Sequence, residues 1–465
     1  MLHLHCKNKH KKEEMKIKDF FNENGYIDFD FVDSINCFRK LKETPQNTHW
    51  HKEGNAWEHT KLVVLAMYSI LNEYSYLSKT EDEWKILVIA ALCHDLGKGE
   101  TTKFDEAKNE YTSKDHSIVG ERITRSLLKD EDILLREKIC YLVRHHMILH
   151  HIFDDPSKID FKLKKLSRGI ESVRNMIYLW VADSYGSIND ETNTSVLAKR
   201  ETLIHRAIEL DIYDKINAVT YNDIAKFCSY HGDFNKDTKP FDVYIMCGFP
   251  GSGKSTYVKN NFGHLPIISR DIVRCNLNIN GATEENQKKT VGTKEEERKV
   301  TEIINKQMNA LCRDGKSFVI DNIHLKSQYR HETIKRIIKY KPTIHIIYIE
   351  APSFSICKQR RNGEISSEVY NEMKKKFDFP QLTECNTLTI VKQINRGNLF
   401  DITYVIDNNI EIKTNKFKAF DTLIAVGDVV KKLEEAKEKI LNNGYSINDC
   451  CISVVDGLIN EYKTL

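Results

Sequence analysis

The chain has 465 residues, 40% hydrophobic and 29% charged, ordinary for globular protein and enough for about two to four domains. No apolar run approaches the roughly 20 residues that cross a bilayer, which excludes a membrane-spanning helix. A net charge of +3 leaves a nucleic-acid partner open, and 12 cysteines without any Cys-x-x-Cys argue against a zinc ribbon or a disulfide framework.

The first 14 residues, MLHLHCKNKHKKEE, lack the apolar segment of a secretory signal and read as a flexible basic lead. With the scattered cysteines, this sets the expectation of a cytoplasmic chain. Residues 59–73 place Leu62, Val63, Ala66, Met67 and Ile70 on one stripe, predicting an amphipathic helix from His59. Residues 85–94 are apolar nearly all round, as in a central buried helix ending at His94 and Asp95. Further helices are expected at 116–129, 134–147 and 171–186 with no strand between them, so residues 1–232 read as all-α with a core over about 40–190. Residues 233–240 have linker composition.

The runs FDVYIMC (241–247), LPIIS (265–269), SFVID (317–321) and TIHIIYIE (343–350) alternate with helical segments, predicting an α/β domain with a parallel sheet over 241–395. TLTIV and FDITYVID read as final strands and 429–444 as a helix, and no chemistry is legible in 396–465.

Gly248-Phe-Pro-Gly251-Ser252-Gly253-Lys254-Ser255 is a complete phosphate-binding loop after a predicted strand and before a helix. Its backbone N–H groups suit phosphate oxygens, Lys254 the β and γ phosphates, and the Ser255 hydroxyl, followed by Thr256, a magnesium ion. Asp271 and Arg274 follow the second strand, where a parallel sheet opens onto its ligand crevice. They supply a base for an acceptor hydroxyl and a cation for an anionic acceptor, or else a simple i, i+3 ion pair. Asp321 ends the third strand and can serve magnesium, orient Arg274 or cap a helix. Arg360 and Arg361 fit a lid over the transferring phosphate or a solvated basic face.

With GFPGSGKST, SRDxxR and a basic lid leading to FDFP in order, residues 240–395 resemble the 5′-polynucleotide kinase family. The resemblance implies ATP or another NTP as donor, Mg2+, Asp271 as general base, Arg274 on the acceptor's phosphate, and Arg360 or Arg361 on the donor.

The first half presents His59, His94-Asp95, His116, His145, His146 and Asp183, and imidazoles and carboxylates from separate helices can converge on metal. Asp183 lies on the core side of its helix, where an unpaired carboxylate is costly. Taken singly, each histidine also fits a packed core or surface role. The set resembles the HD phosphohydrolase superfamily over about 40–190. The resemblance implies His59, His94, Asp95 and Asp183 as ligands, His116 and His145 as ligands of a second ion, and Asp95 between two ions such as Mn2+, Ni2+, Co2+, Fe2+ or Cu2+. The preceding segment 44–60 reads as the entry to that site, with His49, His51 and Glu53 as substrate contacts or as an ordered loop.

The two halves together resemble the bacterial HD-domain polynucleotide kinase type. That resemblance implies phosphorylation of 5′-hydroxyl ends and hydrolysis of 3′-phosphate or 2′,3′-cyclic phosphate ends of RNA or DNA, ahead of a ligase. Two other arrangements fit the same motifs: a small-metabolite or nucleotide kinase fused to an HD nucleotidase, and a regulatory P-loop module gating an HD effector.

Overall fold

The computed structural model describes residues 15–73, 80–189, 193–235, 239–282, 292–361, 365–392 and 402–407. The basic lead and the helix expected at 429–444 lie outside them. The described residues form two compact units, one of residues 15–167 and 171–215, the other of 168–170 and 216–407. No helix among them is long and apolar enough to cross a membrane.

The first unit contains α1 (Phe29–Ser34), α2 (Asn36–Lys42), α3 (Ala56–Glu73), α4 (Glu81–Cys93) and α5 (Lys98–Thr101), then strands β1 (Lys103–Asp105) and β2 (Glu110–Thr112). It continues with α6 (His116–Leu127), α7 (Ile133–His145), α8 (Met147–His150), α9 (Ile159–Leu166), α10 (Val173–Gly186) and α11 (Asn193–Glu209). The helix expected from His59 starts three residues earlier, because the Asn55 side chain accepts hydrogen bonds from the Trp57 and Glu58 amides, both at 3.0 Å. In α4, Thr80 caps the Glu83 amide and three acids occupy the first turn, while every residue from Ile86 to Cys93 is buried. The antiparallel β1–β2 hairpin departs from the all-helical expectation. Its strands are three residues each and largely exposed, so no apolar alternation announces them, and Asn109 turns the chain at φ 52.

Two buried features hold α6 and α7 in place beside α4. Arg125 spans Glu121 and Glu137, with Nη2 at 2.9 and 2.7 Å, and Arg144 reaches Glu121 at 2.6 Å. In the turn after α4, a Cβ at Gly97 would lie 1.9 Å from the His116 carbonyl oxygen, so only glycine lets this turn sit against the start of α6.

The second unit contains α12 (Tyr221–Phe227), β3 (Asp242–Cys247), α13 (Lys254–Phe262), β4 (Ile267–Ile268), α14 (Arg270–Asn276), α15 (Lys294–Arg313) and β5 (Phe318–Ile320). Then come α16 (Ser327–Ile337), β6 (Thr343–Ile349), α17 (Phe354–Arg360), α18 (Ser367–Lys375), β7 (Thr387–Lys392) and β8 (Ile402–Asp407). The strand order is β4-β5-β3-β6-β7-β8, with β4 to β7 and β3 parallel and β8 antiparallel on the edge. Val243 sits between Phe318 and Ile344 in register. Met246, Val319, Ile347, Ile349 and Val391 of the strands pack with Tyr257 and Val258 of α13 in one apolar layer. The carboxyl ends of β3, β4 and β5 therefore open side by side onto one crevice.

Candidate metal centre and phosphate cradle

Four imidazoles of the helical unit are anchored alike. Nδ1 of His94 contacts the Ala91 carbonyl, that of His116 the Ser113 carbonyl and that of His146 the Val143 carbonyl, each at 2.8 Å. Nδ1 of His59 lies 3.0 Å from Glu53 Oε1 and 3.2 Å from the Gly186 carbonyl. With Nδ1–H donating in each ring, all four Nε2 lone pairs point inward, the orientation that partners behind a metal ligand impose.

They converge in two groups. In one, His59 Nε2 is 2.9 Å from Asp183 Oδ1, and His94 Nε2 is 3.3 Å from His59 Nε2 and 3.5 Å from Asp183 Oδ1. In the other, His116 Nε2 is 3.1 Å from His146 Nε2. Asp95 faces both: Oδ2 lies 3.3 Å from His94 and 3.6 Å from His59, while Oδ1 lies 3.4 Å from His116 and 3.9 Å from His146. Each triad, His59–His94–Asp183 and Asp95–His116–His146, is buried with its ligand atoms within 4.8 Å of one another.

Of the expected ligands, His59, His94, Asp95, His116 and Asp183 come together, and His145 does not. It ends α7 half-buried, its ring 4.4 Å from that of Tyr141, and the buried His146 stands with His116 instead. The sequence carried a signal for this. Ile139, Leu142, Val143 and His146 share the buried stripe of α7, and His145 lies about 100° round the helix from it.

The donor set fits divalent ions. Pairs of imidazole Nε2 atoms at 3.1 and 3.3 Å, each ring held through Nδ1, suit a cation shared between them. Asp95 Oδ2 is buried and accepts no hydrogen bond, although Lys98 Nζ stands 2.7 Å away as an ion partner. Burial alone would raise both carboxyls, yet Asp95 is held well below the usual carboxylate range by Lys98 and His94, and Asp183 by His94 and His150. Burial keeps His146 well below the ordinary imidazole value, and so neutral. Glu53 is a partner whose role the sequence left open. Burial pushes its carboxyl up, but hydrogen bonds from His51 and His59 outweigh that and bring it to about 2. Imidazole and carboxylate together suit transition ions better than magnesium.

In the second unit, Gly251 at φ 76 and Gly253 at φ 99 turn the loop between β3 and α13. A Cβ on Gly251 would lie 2.4 Å from the Cys357 carbonyl oxygen, so α17 lies directly on the loop. Lys254 is buried and donates to the Gly248 and Phe249 carbonyls at 2.8 and 3.0 Å, which sets its ammonium inside the cradle, while Ser255 and Thr256 are exposed at the start of α13. Arg360 Nη1 donates to the Gly251 carbonyl at 3.3 Å, whereas the amide of Arg361 closes the end of α17 on Lys358. Phe377 of the FDFP segment packs 5.3 Å from Phe249, tying that segment to the loop.

Asp271 and Arg274 do form an ion pair, at 2.9 Å, and Arg274 also takes Glu297 in a two-pronged contact at 2.8 and 2.8 Å. Glu297 binds Arg270 at 2.6 Å as well. Its hydrogen bond from Arg274 brings the Glu297 carboxyl down to about 2 against the effect of burial. Glu297 thus does the orienting considered for Asp321, which follows β5 half-buried. Asn322 Oδ1 accepts the Arg270 amide at 3.1 Å and so caps α14. Neither Glu297 nor Asn322 carries a motif that marks it in the sequence.

A parallel sheet with this loop at the end of its central strand, in one chain with a helical bundle built round a histidine–aspartate cluster, defines a fusion of an HD domain with a P-loop kinase-like domain. Residues 56–218 match the HD domain family and residues 243–380 match a family described as AAA domain, each about a third of the chain. HD domains are metal-dependent hydrolases and bind divalent ions, and P-loop kinases use an NTP with Mg2+. No curated protein matches the chain.

Proposed function

We propose that the chain heals broken nucleic-acid strands, its HD domain hydrolysing 3′-phosphate or 2′,3′-cyclic phosphate ends and its P-loop domain phosphorylating 5′-hydroxyl ends. The observation that carries this reading is the Asp95 carboxylate, one oxygen toward His59 and His94 and the other toward His116 and His146, in the same chain as a complete phosphate cradle. One domain suited to removing a phosphate and another suited to adding one would run a futile cycle on a single hydroxyl. The two ends of a cut strand give them different hydroxyls, and the products are what a ligase joins.

His59, His94, Asp95 and Asp183 would hold one ion and Asp95, His116 and His146 the other. Such ions, when bound, supply Lewis acidity toward phosphate oxygens and an activated water. The protein's own part is to fix the ligands: Glu53 and the Ala91, Ser113 and Val143 carbonyls hold each ring, and Lys98 balances Asp95. In the P-loop domain, Asp271 takes the proton from the acceptor hydroxyl. That oxygen bonds to the γ-phosphorus, the bond to the β–γ bridging oxygen breaks, and the nucleoside diphosphate leaves. Arg274 uses three of its five N–H donors on Glu297 and Asp271, and two remain for an acceptor's phosphate. Arg360, held to Gly251, is the better placed of the two lid arginines to reach the donor.

The test is labelled ATP with a short oligonucleotide carrying a 5′-hydroxyl and a 3′-phosphate, both ends followed at once. Lys254→Ala should lower 5′ phosphorylation at least about tenfold with 3′ hydrolysis intact, and Asp95→Ala the reverse. Phosphorylation of a free nucleotide or sugar, with neither oligonucleotide end altered, would replace this reading. One observation favours that second reading, a small-molecule kinase with an HD nucleotidase. Arg270 and Arg274 face Asp271 and Glu297, so the acceptor crevice holds no excess positive charge in this cluster.

A further inference from the structure

Three aromatic rings stand in solvent on two segments tied to the metal centre. Trp50 is 54% exposed, Phe104 49% and Tyr111 38%. Trp50 lies on the loop of residues 45–55, which is closed by the Pro45–Asn55 bridge. That loop is fixed at several points: Gln46 accepts from Lys98 at 2.7 Å, the Lys52 amide donates to the Ile188 carbonyl at 2.8 Å, and Glu53 holds His59. Phe104 and Tyr111 face each other across the β1–β2 hairpin, ring centroids 5.1 Å apart at 69°. The hairpin interrupts the chain between Asp95 and His116, with Tyr111 five residues before His116, so even fully extended chain keeps it within about 17 Å of that ligand. Asn47 Nδ2 donates to Glu110 Oε2 at 2.6 Å, which locks the loop to the hairpin.

Exposed large rings on well-anchored backbone lose apolar burial without gaining freedom, an arrangement that a ligand with flat faces would relieve. His49 packs edge-on to Trp50, centroids 4.5 Å apart, so the ring is already held. The charge of the hairpin narrows the class of ligand. Residues 103–115 carry Lys103, Lys108 and Lys114 with Asp105, Glu106, Glu110 and Asp115, three cations and four anions. A long polyanionic backbone therefore gains nothing here, whereas the faces of one or two bases do. We propose that Trp50, Phe104 and Tyr111 form a stacking rim that takes the terminal bases of a single-stranded nucleic acid and delivers the adjoining phosphate to the Asp95 centre. The proposal rests on the end-hydrolysis reading above and deepens it, making the HD substrate a base-bearing end and not a phosphate ester in general.

The experiment uses the full chain. All four tryptophans, Trp50, Trp57, Trp84 and Trp180, belong to the helical unit, and Trp50 alone among them is exposed, so tryptophan emission reports this unit and not the P-loop unit. Stopped-flow mixing with a 3′-phosphorylated trinucleotide should quench emission, and an abasic sugar-phosphate of equal length should not. Phe104→Ala should weaken the quench midpoint about 5- to 150-fold, the range of one stacked base. In hydrolysis, Trp50→Ala should raise KM for the trinucleotide by a similar factor. Its kcat, and both constants for the abasic ester, should stay unchanged, and Trp50→Phe should restore KM. Equal effects on both esters, or none, would overturn the rim. If neither ester is hydrolysed by the wild type, the end-hydrolysis reading fails, and a quench by the trinucleotide that Phe104→Ala weakens would still uphold the rim, while an unmoved quench would remove it.

Discussion

Replacing His146 by alanine should remove one metal ion per chain, and replacing its neighbour His145 should remove none. His146 is buried, its Nδ1 on the Val143 carbonyl at 2.8 Å and its Nε2 3.1 Å from His116 and 3.9 Å from Asp95. A residue that only steadies a ligand changes metal affinity by about 10- to 100-fold, or roughly 1.4 to 2.8 kcal/mol. Loss of the ligand itself removes one of three donors in its triad and should exceed that range. The triad of His59, His94 and Asp183 keeps all its atoms, so one equivalent should remain. His145 touches Tyr141 from a half-buried position, and its loss should cost no more than about 1 kcal/mol of stability. Elemental analysis after dialysis against metal-free buffer, with competition against a chromophoric chelator, measures both variants directly. Full metal content in His146→Ala together with loss in His145→Ala would refute the reasoning, because the ring orientations would then be wrong at the end of α7.

Two predictions concern the P-loop domain. Glu297→Gln should raise KM for a 5′-hydroxyl acceptor about tenfold while leaving KM for ATP within twofold, since the charge-assisted contacts that orient Arg274 are worth about 1.5–3 kcal/mol; an equal rise for ATP would move Arg274 to the donor side. His324 is buried with Nδ1 on the Met246 carbonyl, and burial, with Arg330 and Lys254 nearby, lowers its value from 6.5 to about 4. The unfolded chain then binds the proton more readily, so stability is full above pH 6.5 and falls by about 3 kcal/mol toward pH 4, and chemical denaturation at pH 7.5 and 5 should show a drop that His324→Asn reduces.

Much of this was legible because burial leaves periodic traces. The stripe of α3, the all-round apolar α4 and the runs that became β3, β5 and β6 each follow from a face or a pair of faces turned from water. The P-loop was legible for a different reason, since its chemistry needs fixed residues at fixed spacing. What escaped lies in pairings across long separations. Glu297 reaches Arg274 across 23 residues through folded geometry, and nothing near the glutamate in the sequence names its partner. The same holds for Arg330, fully buried and paired at 2.5 Å with Glu384, which ties α16 to the segment before β7. The antiparallel sense of β8 was equally hidden, because strand propensity carries no direction.

The placing of His94 and Asp95 explains how one short segment serves two triads. Successive residues at a helix end point about 100° apart, so His94 and Asp95 look into different sectors of the bundle from almost one point. His94 joins His59 on α3 and Asp183 on α10, while Asp95 turns toward His116 on α6 and His146 just beyond α7. The aspartate is short enough to keep one oxygen near each triad, which a lone imidazole cannot do, as both its nitrogens are committed once Nδ1 holds a carbonyl. Three consecutive constraints follow in the sequence. A buried helix must end at Cys93, a histidine and an aspartate must come next, and a glycine must then let the turn lie against α6. Inserting one residue before His94 would rotate both side chains together, and each triad would then lose one ligand, His94 from the first and Asp95 from the second.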